Sequence, residues 1–125
     1  SAGKSAASMG MVGITCSRTF QSAMQDVLRK TQGKLRSVLM KACFSSPSFC
    51  IQLAAIVGGT AATGGTSAPA TALAITKLCA KYPNICATGV KEGLGKVVTE
   101  MRNKMRYDSN LQNCVHKMGA AYNGN

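Results

Sequence analysis

The sequence predicts an all-α protein: a disulfide-linked helical bundle in which two long amphipathic helices enclose a central apolar helical hairpin. Three observations carry that expectation. Apolar residues recur at three- and four-residue steps through two long segments, six Cys fall at near-symmetric intervals, and the middle of the chain carries no charge. The chain has 125 residues, 46% of them apolar, and fifteen Lys and Arg against four acidic residues give a net charge of +11. That length predicts a single domain over residues 1–125 with a modest core, and it excludes a large metabolic enzyme. The apolar content argues against disorder.

Charge is distributed unevenly. Residues 1–41 carry net +6 and residues 77–125 carry net +5, whereas no charged side chain occurs from Ala42 to Thr76. Cysteine is distributed symmetrically. The six stand at 16, 43, 50, 79, 86 and 114, so the intervals are 27, 7, 29, 7 and 28. Both short intervals read C-x3-P-x2-C, with Pro47 and Pro83 stopping helices and favouring turns. The expected order is long element, Cys-Pro turn, central element, Cys-Pro turn, long element.

Residues 1–14, rich in Ala, Gly and Ser, are expected to form a loose N-terminal arm. Ala2-Gly3-Lys4-Ser5 has the ending of a phosphate-binding loop, but the upstream glycine and a preceding strand are missing, so nucleotide binding is not expected. From Ser17 to Ala42 a long helix is expected, because Phe20, Met24, Val27, Leu28, Leu35, Val38, Leu39 and Ala42 share one face. Arg18, Arg29, Lys30, Lys34, Arg36 and Lys41 fall on the other arc, and Thr15 or Ser17 would cap the start. The C-terminal segment mirrors this arrangement. Val90, Leu94, Val97, Val98, Met101, Met105 and Leu111 make the stripe, opposite Lys91, Lys96, Arg102, Lys104 and Arg106. Gly93 and Gly95 weaken that helix by about 1 kcal/mol each relative to Ala.

The centre carries small residues where an ordinary core helix would carry Leu. Gly58-Gly59, Gly64-Gly65 and Pro69 argue for two apolar helices, about 51–63 and 67–79, with Thr66 or Ser67 capping the second. Each would be roughly 18–20 Å long at 1.5 Å per residue. That is short of a hydrocarbon core of about 30 Å. Opened into one helix, the 26 neutral residues from Ile51 to Thr76 would be long enough. Ile51, Leu53, Ile56, Val57, Gly58, Gly59, Gly64, Gly65, Leu73 and Ile75 are therefore the candidate membrane-inserting positions, and the same neutrality is equally explained by a buried core.

Six Cys without a C-x-x-C point to three disulfides rather than zinc. In an up-and-down bundle, Cys16 and Cys114 lie at one end and are expected to pair. Cys43, Cys50, Cys79 and Cys86 cluster at the other end, where local closure and cross-links between the two turns are both open. Each bond could add about 2–4 kcal/mol. The chain begins at Ser1 with no initiator Met and no basic-then-apolar leader, which fits a mature secreted, extracellular product. It has no N-glycosylation sequon.

Catalytic chemistry is poorly supplied. His116 is the one histidine, and Asp26, Glu92, Glu100 and Asp108 are widely spaced. Six Cys pair evenly and leave no thiolate nucleophile. The expectation is no enzyme activity, no cofactor and no metal. Nucleic acid is also discounted as a partner, since no binding motif occurs and six aromatics offer little stacking.

Taken together, the six Cys, the neutral stretch 51–76 and the basic stripes at 18–41 and 91–106 resemble the killer toxins secreted by yeasts and smut fungi, often encoded by resident viruses. Saposin-like lytic proteins share the idea of a Cys-stapled helical membrane binder but pair their Cys more closely. The resemblance implies killing of competing cells through an anionic target-cell membrane, or a cell-wall or receptor component, with a second subunit or homo-oligomer left open. Lys and Arg would attract the chain to an anionic surface, each contributing about 1 kcal/mol near the headgroups, and the hairpin would then enter lipid. Two other classes are a secreted helical carrier of a lipid or other apolar ligand and a receptor-binding secreted effector.

Overall fold

The computed structural model describes residues 14–31, 33–87 and 89–123, and among them it contains six α-helices and no strand. They are α1 (Ile14–Leu28), α2 (Lys34–Ser45), α3 (Pro47–Gly58), α4 (Ala68–Lys81), α5 (Val90–Met105) and α6 (Ser109–Asn123), with a 3-10 turn at Ala61–Thr63 between α3 and α4. The fold is an all-α, disulfide-linked bundle around an apolar helical hairpin, α3–α4. The arm expected over 1–14 lies outside the described residues up to residue 13. Residue 14 itself begins α1, which puts Thr15 and Ser17 inside the helix rather than at its cap.

Each long amphipathic segment is divided in two. The first breaks after Leu28, and Gly33, at φ 85°, turns the chain into α2. An L side chain pays steric energy in that left-handed region, which is why glycine stands there. The second long segment breaks at Arg106–Tyr107. Asp108 Oδ1 then accepts the Leu111 N–H at 3.0 Å and caps α6. Leu111 belongs to the α6 face with Val115 and Met118, not to the α5 stripe of Val90, Leu94, Val97, Val98 and Met101.

The hairpin follows its expected chemistry. Ser67 Oγ accepts the Ala70 N–H at 3.2 Å, with Pro69 in the first turn of α4. α3 ends on Gly59 in the left-handed conformation, φ 65° and ψ 45°, whose N–H returns to the carbonyls of Ala55 and Ile56. The central helices are shifted relative to expectation. α3 starts at Pro47, inside the first Cys-Pro interval, and stops five residues before the expected end at 63.

The outer halves run antiparallel and nest the hairpin between them. Cys16 on α1 is bonded to Cys114 on α6, Asp26 on α1 meets Lys104 on α5, and Leu35 on α2 lies against Gly93 on α5. A Cβ on Gly93 would stand 2.6 Å from Leu35 Cδ2, so its absence permits the close approach. Gly95 has open space instead. α3 occupies the centre, packed by α2, α4, α5 and most extensively α6. Phe49, Ile51, Leu53, Ile56 and Val57 are all buried there. Glycines bring the hairpin and α6 together: a Cβ on Gly58 of α3 would stand 3.2 Å from Val115 Cγ1, and one on Gly119 would stand 2.9 Å from Cγ2 of Thr60 in the bend.

The remaining disulfides close locally, Cys43–Cys50 with Cα atoms 4.7 Å apart and Cys79–Cys86 at 5.4 Å. The first staples the 114° corner between α2 and α3. Side chains, rather than sulfur, join the two Cys-Pro corners. Tyr82 OH lies 2.6 Å from Ser48 Oγ and accepts the Gln52 amide at 3.1 Å, and its ring meets Phe49 edge to face at 5.4 Å.

Candidate functional site

Two features of the surface are candidates: the basic side chains of the outer helices and an apolar groove on the hairpin. Helical periodicity places the basic residues outward, because the opposite arc of each outer helix is consumed by the core. Arg18, Arg29, Lys30, Lys34, Arg36, Lys41, Lys91, Lys96 and Arg106 are exposed. Lys30 and Lys96 line one small cleft of about 210 Å³ between α1 and α5, with Glu100. Asp26 draws Arg29 and Lys104, each at 3.5 Å. These are surface pairs, contributing about 0–1 kcal/mol.

Arg102 departs from this group. The sequence places it among the outward basic residues, but its guanidinium reaches inward to the hairpin. Nη2 donates to Ile56 O at 2.7 Å and Nε to Val57 O at 3.0 Å, while Nη1 donates to Thr71 Oγ1 at 2.9 Å and Thr66 O at 3.3 Å. Both arms of the hairpin are thereby gripped by one side chain, at the negative end of the α3 dipole. Burial away from water pushes the Arg102 guanidinium below its ordinary pKa. Its guanidinium is engaged with the hairpin rather than free at the surface. The signal lay in spacing: Arg102 follows Leu94 and Val98 at four-residue steps, along the edge of the apolar stripe.

The candidate inserting residues divide by position. Ile51, Leu53, Ile56, Val57 and Ile75 are core. Gly58 packs on α6, and Gly59, Gly64 and Gly65 form the bend of the hairpin, all three with positive φ. Leu73 faces outward at 56% exposure. The two arms are therefore unlike: α3 is enclosed, while α4 is covered on one side by α3 and α5 and leaves Ala72, Leu73, Thr76, Lys77 and Ala80 exposed. Among the described residues no single helix is long and apolar enough to cross a membrane. The bent pair α2–α3 passes by length and composition alone.

The uncovered side of α4 borders a groove of about 510 Å³. Ile56, Ala74 and Leu78 form its inner wall, Leu73 and Tyr122 its sides, and Ala61 and Ala62 of the 3-10 turn close one end. Lys77 and Lys81, one helical turn apart, stand at the other end beside Gln52, whose Oε1 accepts Lys81 Nζ at 3.3 Å. Sequence reasoning singled out neither lysine nor Tyr122. The available signal was the i, i+4 pair that ends the neutral run.

Among the described residues no group of three or more His, Cys, Asp or Glu could hold a metal ion. His116 is exposed on α6. Comparison of the chain with protein-family models, with curated proteins and with solved structures returned no match.

Proposed function

We propose that this chain is a secreted cationic cytotoxic protein that acts at the surface or membrane of a target cell, in the manner of the fungal killer toxins its sequence resembles. The observation that carries the reading is the cross-link topology. Cys16–Cys114 staples the outer helices α1 and α6 together, whereas Cys43–Cys50 and Cys79–Cys86 close only local corners. No disulfide among the described residues ties α3–α4 to α5 or α6, so the hairpin is held there by packing and by Arg102. Three intramolecular disulfides are typical of extracellular proteins.

The physical route has two steps. Exposed Lys and Arg on the outer helices bring the chain to an anionic surface. The hairpin then exchanges its protein shell for lipid. That exchange is closed in water, because withdrawing Phe49, Ile51, Leu53, Ile56 and Val57 from the core costs on the order of 10 kcal/mol. Lipid that solvates the same side chains offsets that cost, and the small residues of the hairpin then permit close helix contacts.

The test is dye release from anionic and neutral vesicles, run beside growth inhibition of fungal and bacterial cells. Release from anionic vesicles and killing of at least one cell type are expected. Lipid bound without release would point to a carrier. Killing without release would point to a protein or wall receptor, and inactivity in every arm would refute the proposal.

A further inference from the structure

We infer that the groove beside α4 is a binding site for a fatty acid, with the hydrocarbon chain lying along the helix and the carboxylate received by Lys77 and Lys81. Shape is the first argument. At about 510 Å³ the groove lies within the range of small-ligand sites, roughly 300–1,000 Å³. It is elongated: its lining runs from Ala70 to Lys81, about 16 Å along the helix at 1.5 Å per residue. A trough one helix long and of that volume suits a single chain rather than the two chains of a phospholipid.

The second argument is the unusual composition of the hairpin. Ala61, Ala62, Ala70, Ala74 and Ala80 border the groove where larger side chains would fill it. The small residues that distinguish this stretch from an ordinary core helix thus create space. Leu73 stands at its edge, 56% exposed, as the one large aliphatic side chain exposed among the described residues. An acyl chain would cover it.

Charge complementarity supplies the head group. No acidic residue lines the groove, and both of its cations stand toward the C-terminal end of α4. Lys81 is held against Gln52, and Lys77 lies one turn nearer the apolar part. Lysine ammonium groups act as compact point charges, suited to a monovalent carboxylate at the mouth of an apolar trough. The site is independent of the membrane reading: a chain that is inert toward vesicles would keep it.

Calorimetric titration of the whole oxidised chain with dodecanoate, below the concentration at which the probe self-associates, tests the assignment. Dodecyltrimethylammonium supplies the same chain with the opposite charge. The expected result is one equivalent of dodecanoate bound, at least about tenfold more tightly than the cationic probe, a difference of about 1.4 kcal/mol. Lys77→Glu/Lys81→Glu should invert that preference. Lys91→Glu/Lys96→Glu, which changes net charge equally outside the groove, should leave it intact. Leu73→Glu, at an exposed position, should weaken dodecanoate at least about tenfold with far-UV circular dichroism unchanged. Absence of saturable binding, several equivalents bound, or equal affinity for both probes would overturn the proposal. So would equal losses in the two double variants, or a concentration-dependent dimer dispersed by Leu73→Glu, which would make a second copy the occupant.

Discussion

Replacing Arg102 by Met keeps the apolar stem and removes the clamp. Four hydrogen bonds from one guanidinium disappear, to the carbonyls of Ile56, Val57 and Thr66 and to the Thr71 hydroxyl. A bond from a charged donor contributes about 1.5–3 kcal/mol when its partner stays buried and dry, and nearer 1 kcal/mol when water can replace it. Arg102 is half-buried, so water reaches part of the site, and the guanidinium regains hydration on unfolding. The expected loss is therefore about 2–4 kcal/mol. For a chain of this size that corresponds to a fall in Tm of about 10 °C. Urea denaturation of the oxidised protein, followed by far-UV circular dichroism, measures it. Arg106→Met, at an exposed position on the next turn, is the control and should fall within about 0.5 kcal/mol of the parent. Arg102→Lys should recover only part of the loss, because one ammonium cannot span both arms. If Arg102→Met unfolds within about 0.5 kcal/mol of the parent, the clamp contributes nothing and the reasoning is refuted.

Three further substitutions test the packing account by the same denaturation assay. Gly33→Ala forces an L side chain to φ 85° at the α1–α2 elbow and should cost about 1–2 kcal/mol although nothing crowds the added methyl. Gly95→Ala meets open space inside α5 and should stabilise the chain by about 1 kcal/mol; a loss would mean that α5 is not regular there. Tyr82→Phe removes the hydroxyl shared by Ser48 and Gln52 while keeping the ring against Phe49, and should cost about 1–2 kcal/mol.

The helical class and the buried faces were legible because period-3.6 patterning is imposed by burial itself, as Phe20, Met24, Val27 and Leu28 on α1 and Leu94, Val98 and Met101 on α5 illustrate. Cys16–Cys114 was legible from the antiparallel return of the chain. The helix breaks carry only local signals, Gly33 at one and Asp108 at the other. A continuing apolar period overrode a local turn signal in both cases. The choice between local and crossed pairing of the four inner Cys could not be made from spacing, since Ser48 and Tyr82 bring both corners to one place. The inward reach of Arg102 was not legible, because in a sequence charge reads as exposure. A guanidinium with a long apolar stem can instead stand at the edge of a core and satisfy carbonyls at a helix end. The groove was illegible for a related reason: small residues in sequence read equally as close packing and as space.

Whether the hairpin leaves its shell in lipid is decided by a covalent lock. A Cβ on Gly119 would stand 2.9 Å from Thr60 Cγ2, so Thr60→Cys/Gly119→Cys brings two sulfurs within bonding reach and ties the hairpin bend to α6. α6 is already stapled to α1 by Cys16–Cys114. The measurement is dye release from anionic vesicles by the oxidised double variant and by the parent chain, at equal amounts bound. The locked protein should bind vesicles as the parent does but release little dye. Release at the parental rate from the fully cross-linked protein would contradict the two-step route.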